Sequence, residues 1–296
     1  MFIMWKVFNG YRSQPVSIKK LTLDEHLFTL LMLYFSANIA FFFADLLRFH
    51  IPLTGLITSW CASYPPNRGL VIFVIIADYL NYCILVLPFL VSLLRMIILR
   101  FSYNYKRIRS LAIKWIVLPI LFFVPLLCVS YLFQSLGYCR RFDEPFPFGA
   151  IDIYSTRGAF GLRRSYFILG LSFTCWSLCA VLSGYMYIKL RTSPLHNAST
   201  FTKKLARRAE LSVSITLISA IVPFITNTVV SVTTIWKQDI MFYLIFLRIF
   251  GNDFETVMMP WVLYFTHPIF REKPAKSNIV AVKSISTQKV LHSTSI

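Results

Sequence analysis

Residues 70–99 read LVIFVIIADYLNYCILVLPFLVSLLRMIIL, with Asp78 and Arg95 the sole ionised side chains in the run. A membrane helix needs about 20 largely apolar residues, because roughly 30 Å of hydrocarbon is crossed at about 1.5 Å per residue. This stretch exceeds that length and is too long and too evenly apolar for a strand. Working outward from it, five more runs of the same kind appear. One precedes it, Leu27–Leu47 (LFTLLMLYFSANIAFFFADLL), and four follow, at Trp115–Phe133, Ser165–Ile188, Leu211–Ile235 and Phe242–Phe265. Pro88, Pro119, Pro125, Pro223 and Pro260 lie inside these runs. Membrane helices accept such prolines as kinks where neighbours satisfy the freed carbonyls. The expected fold class is an all-α membrane protein, a bundle of six transmembrane helices.

Composition agrees. Of 296 residues, 57% are hydrophobic and 14% charged, where a soluble domain needs roughly a quarter charged to stay wet. The 28 Phe and 15 Tyr suit lipid and its interfaces. The net charge of +18 is not gathered on one polar domain. Lys and Arg are spread through short loops between apolar runs, so nucleic acid is excluded as a partner and membrane lipid is expected. Met1–Phe8 is too short an apolar stretch for a signal-peptide core.

Counting Lys and Arg loop by loop gives an orientation, because basic loops stay on the cytoplasmic side. Lys6, Arg12, Lys19 and Lys20 precede the first run. Arg100, Lys106, Arg107, Arg109 and Lys114 follow the second, and Lys189, Arg191, Lys203, Lys204, Arg207 and Arg208 lie between the fourth and fifth. The intervening loops are poorer, and in Gln134–Arg164 the acids Asp143, Glu144 and Asp152 dilute the arginines. Residues 1–26 therefore read as a cytoplasmic segment, 27–266 as the bundle and 267–296 as a cytoplasmic tail, disordered after Pro274. The long Gln134–Arg164 loop is expected outside. The sequon Asn197-Ala198-Ser199 falls on the cytoplasmic side, where it would carry no glycan.

Several function classes find no support. HExxH, GxSxG and a phosphate-cradling glycine loop are all absent, so an enzyme is not expected. His26, His50, His196, His267 and His292 are scattered, and none of the six cysteines forms a CxxC pair. Neither a metal nor a cofactor is expected. The two halves share no repeat, which argues against an inverted-repeat transporter.

Three stretches resemble a known family. Residues 248–273, RIFGNDFETVMMPWVLYFTHPIFREK, resemble the seventh helix of nematode serpentine chemoreceptors, in the superfamily of classes gamma and V, nearer to V. Within them Pro260 and Tyr264 resemble the Pro…Tyr element of rhodopsin-like receptors, with three residues between rather than two. Residues 92–96, SLLRM, place Arg95 where such receptors carry the arginine of Asp-Arg-Tyr, with Leu94 in the acid's place. Residues 206–227, ARRAELSVSITLISAIVPFITN, resemble the sixth helix. The resemblance implies a rhodopsin-like bundle of seven helices, of which the first is missing here, so that the basic segment after Phe8 reads as the first cytoplasmic loop. It further implies a G-protein-coupled chemosensory receptor with a small-molecule ligand and a heterotrimeric G protein as partners. The location implied is the plasma membrane, in sensory neurons the ciliary membrane. A six-helix transporter or channel, or a non-signalling remnant of a receptor, are the alternatives.

Site residues follow from placement. Cys61 and Cys139 are the two cysteines expected on the oxidising side, and rhodopsin-like receptors bridge comparable loops, so a disulfide is expected between them. Asp78, Asn81 and Tyr82, at i, i+3 and i+4, share a face of the second run. With Arg248, Asp253 and Glu255 of the last run they form a candidate ligand-contacting set, or else a structural one that holds the bundle through mutual pairing with Asn252 and water. Arg95 and Glu210 lie at the cytoplasmic ends of their runs, where a pair between them would restrain the resting state. With Pro260 and Tyr264 they form the candidate coupling set.

Overall fold

The computed structural model describes residues 2–15, 19, 22–100, 110–142, 149–156, 163–192 and 200–271. The sequon, the tail beyond Arg271 and the acids Asp143 and Glu144 lie outside the described residues. Helix α1 covers Phe2–Ser13 and α2 covers Glu25–Asp45. A π-helical turn at Leu46–His50 and a short turn at Ile51–Leu53 prolong α2, until Gly55 reverses the chain at φ 78°. Helices α3 (Thr58–Ser63) and α4 (Arg68–Arg100) follow. Next come a π turn at Ile113–Val117, α5 (Leu118–Val129) and a 3₁₀ turn at Ser130–Leu132. Strands β1 (Gly137–Arg141) and β2 (Ile151–Ser155) form an antiparallel pair with Cys139 opposite Ile153. Then follow α6 (Arg164–Thr192), α7 (Thr200–Ser219), α8 (Ile221–Trp236), α9 (Gln238–Thr266) and α10 (Pro268–Arg271).

Helix α4 is the axis of the bundle. It is the most buried of the long helices and packs against α2, α5, α6 and both strands. Its start is capped by Asn67, whose Oδ1 accepts from Leu70 N at 2.9 Å. The backbone of Asn67 also exchanges two hydrogen bonds with Gly137, which fastens the hairpin to this end. A Cβ at Gly137 would strike the backbone of Leu70 and Val71, so no larger residue permits that approach. Helices α8 and α9 pack as an antiparallel pair, α9 also meets α2, and α6 closes the ring against α4 and α8.

Phe73, Trp115, Phe122, Phe123, Phe173, Tyr187 and Phe250 point outward and stay exposed. In water such a surface would aggregate, whereas in lipid it is the proper exterior. Five spans among the described residues have the length and apolarity to cross a membrane, and α9 adds a sixth long helix. The bundle is that of a multi-pass membrane protein, as expected.

Three local features depart from the sequence reading. The fifth run was expected as one helix, but it is two, α7 and α8, meeting at Ala220 (φ −75°, ψ 0°). Pro223 has no N–H to give to Ser219, and its ring crowds that carbonyl, so the ladder breaks one turn ahead of it. The segment of residues 1–26, expected as cytoplasmic and in its basic part as a loop, contains α1, because Ile3, Val7 and Tyr11 recur every fourth residue and bury one face. That face stacks Tyr11 on Phe28 at 3.8 Å and meets α9 and α10. The loop expected outside carries the hairpin, whose strands are too short to stand out by pattern.

Candidate functional site

Two clusters of buried charge sit at opposite ends of the bundle, with a small polar cavity between them. At the hairpin end, Asp78 in α4 is 1% exposed and meets two arginines. Arg48 Nη1 lies 2.6 Å from its Oδ1, and Arg164 Nη2 lies 2.7 Å from the same oxygen. The π turn of Leu46–His50 explains how Arg48 reaches inward. One extra residue in the helical spacing turns everything after it by about 100°. Arg48 Nε then donates to the carbonyl of Ile153 in β2 at 3.3 Å, so the hairpin supplies part of the site.

The hairpin contributes charge of its own. Asp152 is 1% exposed, lies 3.6 Å from Arg140 Nη2, and accepts no hydrogen bond from the described residues. Burial pushes its carboxyl up to about 6, against the downward pull of Arg48, Arg140, Arg164 and Arg248. Arg140 also lies over the Tyr154 ring at 4.3 Å. Arg248 in α9 is buried beside Phe49, and its nearest acid is Asp45, 3.8 Å away. The disulfide Cys61–Cys139, with Cα atoms 5.9 Å apart, ties the hairpin to α3.

Midway down, Tyr34 of α2 donates to Glu255 of α9, and Asn227 Nδ2 donates to Asn252 Oδ1 at 3.2 Å. These groups, with Asn38, Asn81 and Trp176, line a cavity of about 10 Å³, room for about one water. Asn81 Nδ2, Asn252 Nδ2 and Asn227 Oδ1 lack hydrogen-bond partners among the described residues, which fits hydration of that space.

At the far end, Arg95 Nε donates to Glu210 Oε2 at 3.0 Å, and its Nη2 donates to Glu210 O at 3.1 Å and to Ser214 Oγ at 3.0 Å. Arg95 is buried and Glu210 is a quarter exposed. Pro260 is buried within α9, and Tyr264 stacks on Phe270 at 5.8 Å. Nearby His267 is 0% exposed, and its Nδ1 accepts from Ile269 N at 3.3 Å. Burial holds that imidazole down at about 3.

The six expected ligand-contacting residues do not converge on one cavity. Asp78 is engaged by two arginines, while Asn81 and Glu255 line the central cavity. Tyr82 packs with Leu85, Val129 and Ile168, because i+4 on a helix is turned about 40° from i and faces α5 and α6. Asp253 is 3.4 Å from His50 at a partly exposed position. Arg248 alone of the six lines a larger cavity under the hairpin. Arg48, Arg140 and Arg164 were missed as site residues, since each sits near the end of a run and reads as a loop charge. A usable signal for Arg48 was its position three residues after Asp45.

Comparison with known proteins adds an identity to this geometry. The family model described as "Serpentine type 7TM GPCR chemoreceptor Sru" matches residues 1–273, α1 included. A curated relative, serpentine receptor class U-26 of Caenorhabditis elegans, is 32% identical over 192 residues. The match covers 64% of this chain and 65% of that relative, just under two thirds of its length. The class matched is U, where the last-helix motif had pointed nearer to V. Serpentine chemoreceptors are not an enzyme class. By fold and by a match over nearly its whole length, the chain belongs to the Sru family of serpentine seven-transmembrane chemoreceptors.

Proposed function

We propose that the chain is a chemosensory receptor that takes up a small molecule at its hairpin end and signals to a heterotrimeric G protein at the far end. In this reading the hairpin faces outside, the basic end faces the cytoplasm, and the protein works in the plasma membrane of a sensory cell. One observation carries the reading: a single broken span joins the two ends. Glu210 lies in the middle of α7, and Asn227 and Ser231, which line cavities, lie beyond the break in α8. A ligand that shifts α8 moves the hinge at Ala220 and bears on the Arg95–Glu210 pair. Allostery requires such an element, with two arrangements that both sites bias. Exposed Arg207 and Arg208 add positive charge beside the pair, which suits an acidic partner surface.

The test is a G-protein reporter assay in cells expressing the full chain. Glu210→Gln should raise ligand-free activity, because the lock is weakened, and Arg95→Ala should lower coupling. Unchanged basal signalling in Glu210→Gln would remove the lock, and coupling that survives Arg95→Ala would remove the arginine's role.

A further inference from the structure

Beneath the hairpin lies a cavity of about 50 Å³, bounded by β1, β2, α6, α8 and α9. At roughly 10–15 Å³ per water it holds a few waters or the head of a small organic molecule. Three guanidinium groups reach its wall, Arg140, Arg164 and Arg248, against one carboxylate, Asp152. Among the described residues, arginines outnumber acids in the surrounding cluster as well. Arg48, Arg140, Arg164 and Arg248 stand against Asp45, Asp78 and Asp152, and Asp78 is shared by two of the four.

Arg248 is the sharpest case. It is 8% exposed, its Nε and Nη2 make no hydrogen bond to any described residue, and Asp45 stands off at 3.8 Å. A buried guanidinium with donors unmet is costly, and the planar fork is shaped for two oxygens of one carboxylate. Asp253, one turn further along α9, is engaged by His50 and adds no counter-charge to the cavity. Ile168, Val230 and Ile245 give the wall an apolar part, and Ser231 and Thr234 add hydroxyls. A bare inorganic anion would leave that apolar wall without a partner, whereas a short carbon chain covers it.

We propose that this cavity binds a small organic carboxylate, with Arg248 as its principal anchor and Arg164 and Arg140 beside it. The proposal names the ligand class for the receptor reading above and rests on it. The anionic head meets the donors that Arg248 leaves unmet, and the hydrocarbon lies against α6, α8 and α9. Asp152 opposes the ligand, so its charge sets how tightly an acid is held.

The test uses the full chain purified into phosphatidylcholine nanodiscs, with thermal unfolding as the readout. The probes are acetate, propionate, butyrate and benzoate, each beside its amide, with inorganic phosphate and chloride as further arms. At least one acid should raise the melting temperature at millimolar concentration while its amide does not. Arg248→Gln should weaken that acid about tenfold or more, as loss of a charged hydrogen bond implies. Asp152→Asn should tighten it several-fold, which keeps the test decisive if Arg248→Gln fails to fold. No stabilisation by any acid, equal effects of acid and amide, or equal effects of phosphate would each overturn the proposal. The same compounds in the G-protein reporter separate the two readings. An acid that stabilises without signalling leaves the ligand class and removes the receptor role. A neutral amide that signals where acids do not leaves the receptor role and removes the ligand class.

Discussion

At the hairpin end four arginines and three aspartates crowd around a cavity, and one carboxylate, Asp78, serves two guanidinium groups. At the far end one arginine meets one glutamate, and three of the donor contacts of Arg95 fall on Glu210 and Ser214. The first leaves Nε and Nη2 of Arg248 without a hydrogen bond among the described residues, and so is open to completion by something else. The second is a one-to-one pair in which Nε and Nη2 of the arginine are met and only its Nη1 lacks a hydrogen bond among the described residues. Both bury charge at a cost that apolar residues of the same volume would avoid. That two different solutions occur in one bundle suits the receptor role proposed above.

The sharpest way to break this comparison is to remove one carboxylate from each end. Asp78→Asn strands both Arg48 and Arg164 inside the protein and should cost about 3–5 kcal/mol, the usual penalty for an uncompensated buried charge. Glu210→Gln keeps an acceptor near Arg95 at a quarter-exposed position, and should cost about 1 kcal/mol. Chemical or thermal unfolding of the two variants in detergent checks the order. If Glu210→Gln costs as much as Asp78→Asn, the two ends do not differ as described.

A second variant sharpens the contrast by loosening one end alone. Cys139→Ser opens the bond to Cys61, which closes a loop of 78 residues. It should lower stability by about 2–4 kcal/mol, through the freedom returned to the unfolded chain. Because the bond holds the hairpin, hydrogen exchange should rise at Ile151–Ser155 and stay unchanged around Arg95. Equal deprotection at both ends would mean that the hairpin is not an independent support.

Acidity provides the gentlest distinction, because the two ends respond with opposite sign. Asp152 has its proton held more tightly in the fold, at about 6 against an ordinary 3.8. Its contribution is therefore full below 3.8 and lost as pH rises through 6. His267 is held neutral, at about 3 against 6.5, so its contribution is full above 6.5 and lost as pH falls towards 3. Between pH 7 and 5.5 each effect amounts to about 1 kcal/mol, one stabilising and one destabilising. Melting curves over this range should steepen downward on acidification in Asp152→Asn and rise in His267→Gln. Identical pH dependence in both variants would deny the opposition.

How much of this was legible in the sequence depended on length scale. A run such as residues 70–99 declares a membrane helix by itself, because nothing else tolerates so many consecutive apolar residues. The Arg95–Glu210 contact was legible because helix order alone brings both residues to one end, and the two long side chains allow some error in angle. Cys61 and Cys139 were legible from sidedness. The hairpin-end cluster was not, since it depends on a π turn that no pattern announces and on Arg48 and Arg164 at the ends of runs. Tyr82 shows the same limit from the other direction: i+4 spacing puts it near Asp78, yet the angle between them sends it to a different neighbour. The break at Ala220 had its signal in Pro223, but a long apolar run outweighed it.

The seam between the chain's two extremities has a consequence for how the protein is made. Gln14 Nε2 donates to the carbonyl of Ile269 at 2.9 Å, and Gly10 lies against the Phe270 ring. These contacts join residues separated by 255 positions. During synthesis α1 can lean on Leu23 and Phe28 almost at once, but its supports in α9 and α10 do not exist until those helices have been translated. Contacts that distant in sequence are slow to form and leave partly assembled chains exposed in the meantime. Helix α1 thus reports, by whether it is seated, that the ribosome has delivered α10.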